Sequence, residues 1–257
     1  MQQLLMKAQQ DEAELGMQLF ERLPRGLALT EAGAAYSAAL APAWERMQAA
    51  TDALRGDRRL TVSVMPSFAA NWLVPRLAGG EVPGLVVETS ADCVDLGSRT
   101  DLDCAVRLGI GPWPGVESEV VLPVDAVPVA APGVVWGVER LADLLGRPLI
   151  GSTHQTAFWP EWFAAQGMDR STVRGPGFDN LQVIYEAAAG GMGIALGLEP
   201  VVRPYLANGR LVRVFPEAIR LPRSFHLVRR PGRADRRIDG FRDWLRDQAS
   251  VARVASR

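Results

Sequence analysis

The sequence predicts an α/β fold of two lobes, preceded by a short hairpin and a long helix. Two observations carry the expectation. From Arg59 onward, aliphatic and β-branched runs of strand length alternate with amphipathic runs of helix length, the pattern of mostly parallel sheets with covered faces. Pro128 with Pro132 and Gly133, and later Pro216 with Pro222, mark where the chain crosses from one set of elements to the other and returns. Two such sheets side by side leave a cleft between their strand ends.

The first elements lie in LFERLPRGLALTEAGAAY, residues 19–36. Residues 19–22 and 27–29 read as short strands around a turn through Pro24, Arg25 and Gly26, a hairpin by turn chemistry and period. Thr30 stands where an N-cap belongs, with Glu31 in the first turn of an Ala-rich helix. The helical reading continues to Arg55. Tyr36, Leu40, Trp44, Met47, Thr51 and Leu54 follow at spacings of four, four, three, four and three, a seam that a lone helix cannot bury. Pro42 kinks this helix or begins a second segment.

Residues 60–65 (LTVSVM) then read as a strand and 68–79 as a helix, followed by strands at 85–91 and 103–109 and an extended pair over 119–130. The second set comprises helices at 138–145, 157–166, 180–189 and 199–207, with strands at 148–151, 172–175, 193–197 and 211–214. A strand at 224–230 and a helix at 238–248 close the chain. The implied organisation is 1–29, a linker helix over 30–58, one lobe from 59–128 with 222–257, and a second from 129–221.

At 257 residues with a net charge of −1, the chain has ample core and is not wholly devoted to coating nucleic acid. Its first 31 residues are acidic, and the arginines of RRPGRADRR at 229–237 read as a solvated rim before the last helix. Cys93 and Cys104 read as small buried residues and imply no disulfide framework. No apolar run reaches membrane-spanning length, and residues 1–10 lack an export signal, so the expected address is cytoplasmic with no membrane partner. His154 and His226 have no nearby cysteine, and no serine sits in a nucleophile elbow; no metal, cofactor or catalytic residue is expected. Gly190, Gly191, Gly193 and Gly197 end a helix and enter a strand. That is the reverse of a dinucleotide loop and fits a C-cap with close strand packing.

Three strand-to-helix junctions are expected to face the cleft: Ser67, then Ser152 with Thr153, then Asp179 with Asn180. Helix N-termini expose unpaired N–H groups and partial positive charge, suited to a carboxylate or phosphate. These residues serve either as ligand contacts or as plain caps, and the charge of Asp179 favours the cap. Arg107, ending a buried strand, is placed either to meet an acidic ligand or to pair with Asp101 or Asp103.

The run from Glu14 to Gly33, ELG-QLF-R-PRG--LTEAG, resembles the wing and linker start of the LysR-type transcriptional regulators. VSVMPSFAANWLVPRL, NLQVIYEAAAGGMGIALGL and GRLVRVF look most like the branch containing the glycine-cleavage activator. The resemblance implies two Rossmann-like lobes forming a periplasmic-binding-protein-like effector domain, behind a linker helix and a remnant winged-helix hairpin. It further implies a small effector in the interlobe cleft, contacted by Ser67, Phe68, Ser152, Thr153 and His154, with Arg107 and Asp179 as the further candidates at the junctions described above. Through the linker helix it implies a homodimer or homotetramer, and Arg22 and Arg25 of the wing are placed either to touch DNA phosphate or as solvated turn residues. Asp11 departs from the family pattern, and only about a dozen residues precede the match where the family places a helix-turn-helix. Two readings follow: a regulator with a truncated or degenerate reading head, or an effector-binding protein without DNA-binding activity that dimerises with related regulators.

Overall fold

The computed structural model describes residues 12, 15–23, 26–40, 43, 47, 59–79, 82–92, 95–169, 174–199, 201–232 and 234–254. The chain forms two compact units, Met1–Arg58 and Arg59–Arg257.

In the first unit, β1 (Phe20–Leu23) and β2 (Gly26–Leu29) pair antiparallel, with Phe20 opposite Leu29 and Leu23 opposite Gly26. Thr30 caps helix α1 (residues 31–40): its Oγ1 accepts from Gly33 N at 3.0 Å and donates to Gln18 O at 2.7 Å. A Cβ on Gly33 would lie 2.0 Å from Leu19 O, so only glycine lets the helix approach the strand. Tyr36, Leu40 and Met47 of the expected seam are 40%, 46% and 63% exposed. Trp44, Thr51 and Leu54 lie outside the described residues, as do Arg25 and the side chain of Arg22, whose backbone belongs to β1.

The second unit is built on β3 (Leu60–Val64), β4 (Leu85–Thr89), β5 (Cys104–Gly109), β6 (Glu117–Ala130), β7 (Leu149–Ser152), β8 (Gly177–Phe178), β9 (Ile194–Glu199), β10 (Val212–Arg213) and β11 (Ile219–Arg229). They form one nine-stranded sheet in the order β4-β3-β5-β11-β6-β9-β7-β8, with β10 on β6. β3 runs parallel to β4 and β5, and β7 parallel to β8 and β9; these are two half-sheets. The long strands β6 and β11 pair antiparallel and pass from one half into the other.

Several expectations are corrected here. Residues 119–130 are not a pair but part of one 14-residue strand, because Pro123 and Pro128 sit inside it without ending it. Pro123 falls where the β6–β11 register slips between Arg220 and Ser224, the kind of place a strand tolerates a residue that cannot donate. β11 begins at Ile219 rather than 224, so the two sheets are joined rather than merely adjacent. The expected helix at 138–145 is a 3-10 helix, Leu141–Gly146, and that at 199–207 shortens to α5 (Arg203–Ala207). Of the expected strand 172–175, residues 172 and 173 lie outside the described residues; the strand beside β7 is Gly177–Phe178.

Helix α2 runs through Pro66–Phe68, a π-turn at Ala69–Leu73 and Val74–Leu77. Pro75 has no N–H to donate, and the helix widens in the turn before it. Its buried side packs on the first half-sheet: Phe68 lies 4.9 Å from Trp72 and 4.8 Å from Phe225, and Trp72 meets Trp244 of the last helix, α6 (Arg236–Val254). On the second half-sheet α3 (Phe158–Ala165) buries Trp159, Trp162 and Phe163, with Trp159 Nε1 donating to Ile150 O at 2.9 Å. Helix α4 (Leu181–Ala189) buries Tyr185, whose hydroxyl accepts from Leu198 N at 3.0 Å. No helix among the described residues is long and apolar enough to cross a membrane.

Candidate functional site

The C-terminal ends of β3, β4 and β5 and the segment after β7 surround a cleft of about 370 Å³, within the size range of small-molecule sites. Met65 and Ala91 end the strands on one side. Residues 107–113 form the wall, and Gln155 and Arg223 close it from the second half-sheet and the crossing strand. The lining mixes apolar surface (Met65, Leu108, Ile110, Pro112, Trp113) with two guanidinium groups and one carboxamide.

Arg107 stands on this wall and is 8% exposed. Its Nη1 donates to Ser63 O at 3.1 Å and Val106 O at 3.0 Å, and its Nη2 donates to Ser63 Oγ at 2.7 Å. The proposed acidic partners are engaged elsewhere: Asp101 binds Arg99, and Asp103 binds Arg237. Opposite Arg107 in the β5–β11 ladder is His226, 6% exposed, whose Nδ1 has no partner among the described residues. Burial pushes this imidazole below its ordinary pKa. Trp113 meets its ring edge-on at 5.0 Å, and a Cβ on Gly111 would lie 2.8 Å from its Cε1, so His226 underlies the cleft wall.

The other expected contacts scatter. Ser67 is the second residue of α2 rather than its cap, which is Met65; it is buried, and its Oγ has no partner among the described residues. Phe68 is corrected to a core residue: it is fully buried between Trp72 and Phe225. Ser152 Oγ accepts from Gln155 N at 3.0 Å and so shapes the turn that carries Gln155. Thr153 and His154 are exposed on that turn, and Thr153 N donates to Phe178 O at 2.9 Å. Asp179 is exposed and does not cap α4. The cap is Asn180, whose Oδ1 accepts from Gln182 N at 2.8 Å. Among the described residues no three His, Cys, Asp or Glu side chains gather to hold a metal, and burial pushes the Cys104 thiol up to about 12.

Gln155, Arg223 and Trp113 were not singled out by sequence. Arg223 follows Pro222 at the return crossing, and Trp113 sits in a Gly-Pro-rich loop at a strand end; both positions mark cleft rims.

The model of the LysR substrate binding domain matches residues 55–250. The chain is 31% identical over 248 residues to the glycine cleavage system transcriptional activator of Escherichia coli K12, covering 92% of this chain and 81% of that protein. The chain belongs to the LysR-type transcriptional regulators. The regulator is also 32% identical over 251 residues to the AhcY transcriptional activator HvrB of Rhodobacter capsulatus, covering 93% of this chain and 84% of that one. In structure it matches the effector domain of the transcriptional regulator AmpR of Pseudomonas aeruginosa with a TM-score of 0.67 and 31% identity. That match covers 76% of the regulator and 96% of the effector domain. The curly, mixed sheet of the second unit is thus the effector-binding fold of this family, and these relatives are regulators of transcription rather than enzymes.

Proposed function

We propose that this regulator senses a small anionic effector held between its two half-sheets, next to Arg107. The observation that carries the reading is the cleft itself: it is of ligand size and walled by a buried guanidinium. Ser152 supports this space through the turn that carries Gln155, and Ser67 brings to the start of α2 a buried hydroxyl with no partner among the described residues. Effector binding biases two arrangements of the half-sheets by its differential affinity for them. The change passes through α1 to a homodimer or homotetramer in the cytoplasm, and from there to DNA. The exposed Tyr36 and Leu40 on this helix support pairing with a second copy.

A thermal-shift screen of carboxylates and neutral compounds, run on the wild type and on Arg107→Met, tests the reading. Carboxylates are expected to raise the melting temperature of the wild type and to lose that effect in the variant. Stabilisation by neutral compounds alone overturns the anionic effector. Sedimentation of the same sample as a monomer overturns the pairing.

A further inference from the structure

The cleft is lined from the second half-sheet by Gln155, which is held through both its backbone and its side chain. Its backbone N donates to Ser152 Oγ at 3.0 Å, and its carbonyl accepts from Phe158 N at 3.2 Å. Its carboxamide lies 2.7 Å from Arg223 Nη1. A guanidinium can only donate, so the carboxamide atom facing it is Oε1, which removes the usual ambiguity between the two ends of the group.

Arg223 is itself fixed. Its Nε and Nη2 each lie 2.7 Å from the two carboxylate oxygens of Glu161, a forked pair with side chains 13% and 18% exposed, and its guanidinium lies over the Phe158 ring at 5.3 Å. Arg223 therefore has a settled counter-charge and a settled plane. With Oε1 committed to it, the remaining function of the Gln155 carboxamide is its Nε2, a donor of two hydrogens. No described protein group accepts from that atom, and the residue lines the cleft.

We infer that Gln155 is a specificity-determining residue of the cleft. Its Nε2 donates to an acceptor oxygen of the effector, and Arg223 is the positioning residue that holds the carboxamide in this sense. The inference rests on the cleft being the effector site and adds the chemistry read there: a carboxylate or carbonyl oxygen on the side of the effector facing the second half-sheet. Two amide donors held by a fixed guanidinium discriminate against a molecule that presents an N–H or an apolar group at that point, because one side or the other is then left unpaired.

The test uses the full chain labelled with ¹⁵N. The Gln155 side-chain amide pair is assigned by its disappearance in Gln155→Met, and the Trp113 indole N–H serves as an independent reporter of the cleft. Sodium acetate and sodium benzoate are titrated to about 100 mM against sodium chloride of equal ionic strength, a range that captures millimolar binding. Saturable shifts of both signals are expected, with benzoate affinity reduced roughly tenfold in Gln155→Met. Arg223→Lys, which cannot make the fork, is expected to weaken benzoate binding while the Trp113 signal still reports it. A saturable shift of Trp113 without one at Gln155, or equal affinity in Gln155→Met, overturns the role of Gln155 and leaves the cleft reading standing. Absence of any saturable shift at either reporter overturns both.

Discussion

Arg237, near the start of α6, reaches back to Asp103 at the foot of β5: Nη2 lies 2.9 Å from Oδ1 and Nη1 3.2 Å from Oδ2. Asp103 Oδ2 also accepts from Thr61 N of β3 at 2.9 Å. One carboxylate thereby ties the last helix to two neighbouring strands at the end of the sheet away from the cleft. Asp103→Asn keeps the shape and loses the charge; it is expected to cost about 2–3 kcal/mol, given that the carboxylate is buried and charge-assisted. A urea midpoint unchanged from the wild type would show that the pair contributes nothing.

Gly193, which enters β9, and Gly197, inside it, are expected to differ in what they tolerate. Gly193 has φ +155, and a Cβ there would lie 2.4 Å from Pro148 O, a backbone atom that cannot move aside. At Gly197 the nearest atoms are side-chain methyls of Val129 and Val202, at 2.9–3.1 Å. Gly197→Ala should cost about 1–3 kcal/mol by overpacking, and Gly193→Ala more, because strain adds to the clash. Equal losses in chemical denaturation would contradict the distinction.

Capping separates two adjacent residues. Asn180→Ala removes the acceptor for Gln182 N and is expected to cost about 1 kcal/mol, whereas Asp179→Ala, at an exposed position with no capping bond, should stay within about 0.5 kcal/mol. The reverse order would restore Asp179 as the cap.

The depressed pKa of His226 links stability to pH. The unfolded imidazole titrates near about 6.5 and the buried one below that, so the neutral form contributes stability above the unfolded value. As pH falls from there toward the folded value, unfolded chains take up the proton first and that stability is lost. Denaturation midpoints of the wild type should therefore drop more than those of His226→Gln between about pH 7.5 and 5.5. Parallel profiles would show that burial of the imidazole carries no penalty.

Much of this architecture was legible because buried strands leave continuous apolar runs. LTVSV and IALGL stand out against their surroundings, as do the helices that follow them, and the amphipathic seam of IDGFRDWLRDQ exposes α6 in the same way. The start of β11 was hidden: IRLPR carries two arginines and a proline, since this stretch lies at the irregular crossing where neither face is fully buried. The site was less legible than the fold. Hydroxyl and carboxylate groups at helix starts drew attention to Ser67, Thr153 and Asp179. The fork that fixes Gln155 instead joins Arg223 to residues more than sixty positions earlier, and depends on how β11 crosses. Local pattern carries no information about such a pairing. Phe68, beside Ser67 in α2, turns into the core between Trp72 and Phe225.

The continuity of β6 and β11 through both half-sheets has a consequence for synthesis. β3, β4 and β5 leave the ribosome early, yet the strand that borders β5 is β11 and the helix that seals Trp72 is α6, both near the end of the chain. The elements of the other half, β7 to β9 with α3 and α4, are contiguous in sequence and need only β6, which is already made. During vectorial synthesis the half begun first is therefore the half completed last. Its exposed β5 edge is the surface that chaperones, or another nascent chain, meet while translation continues.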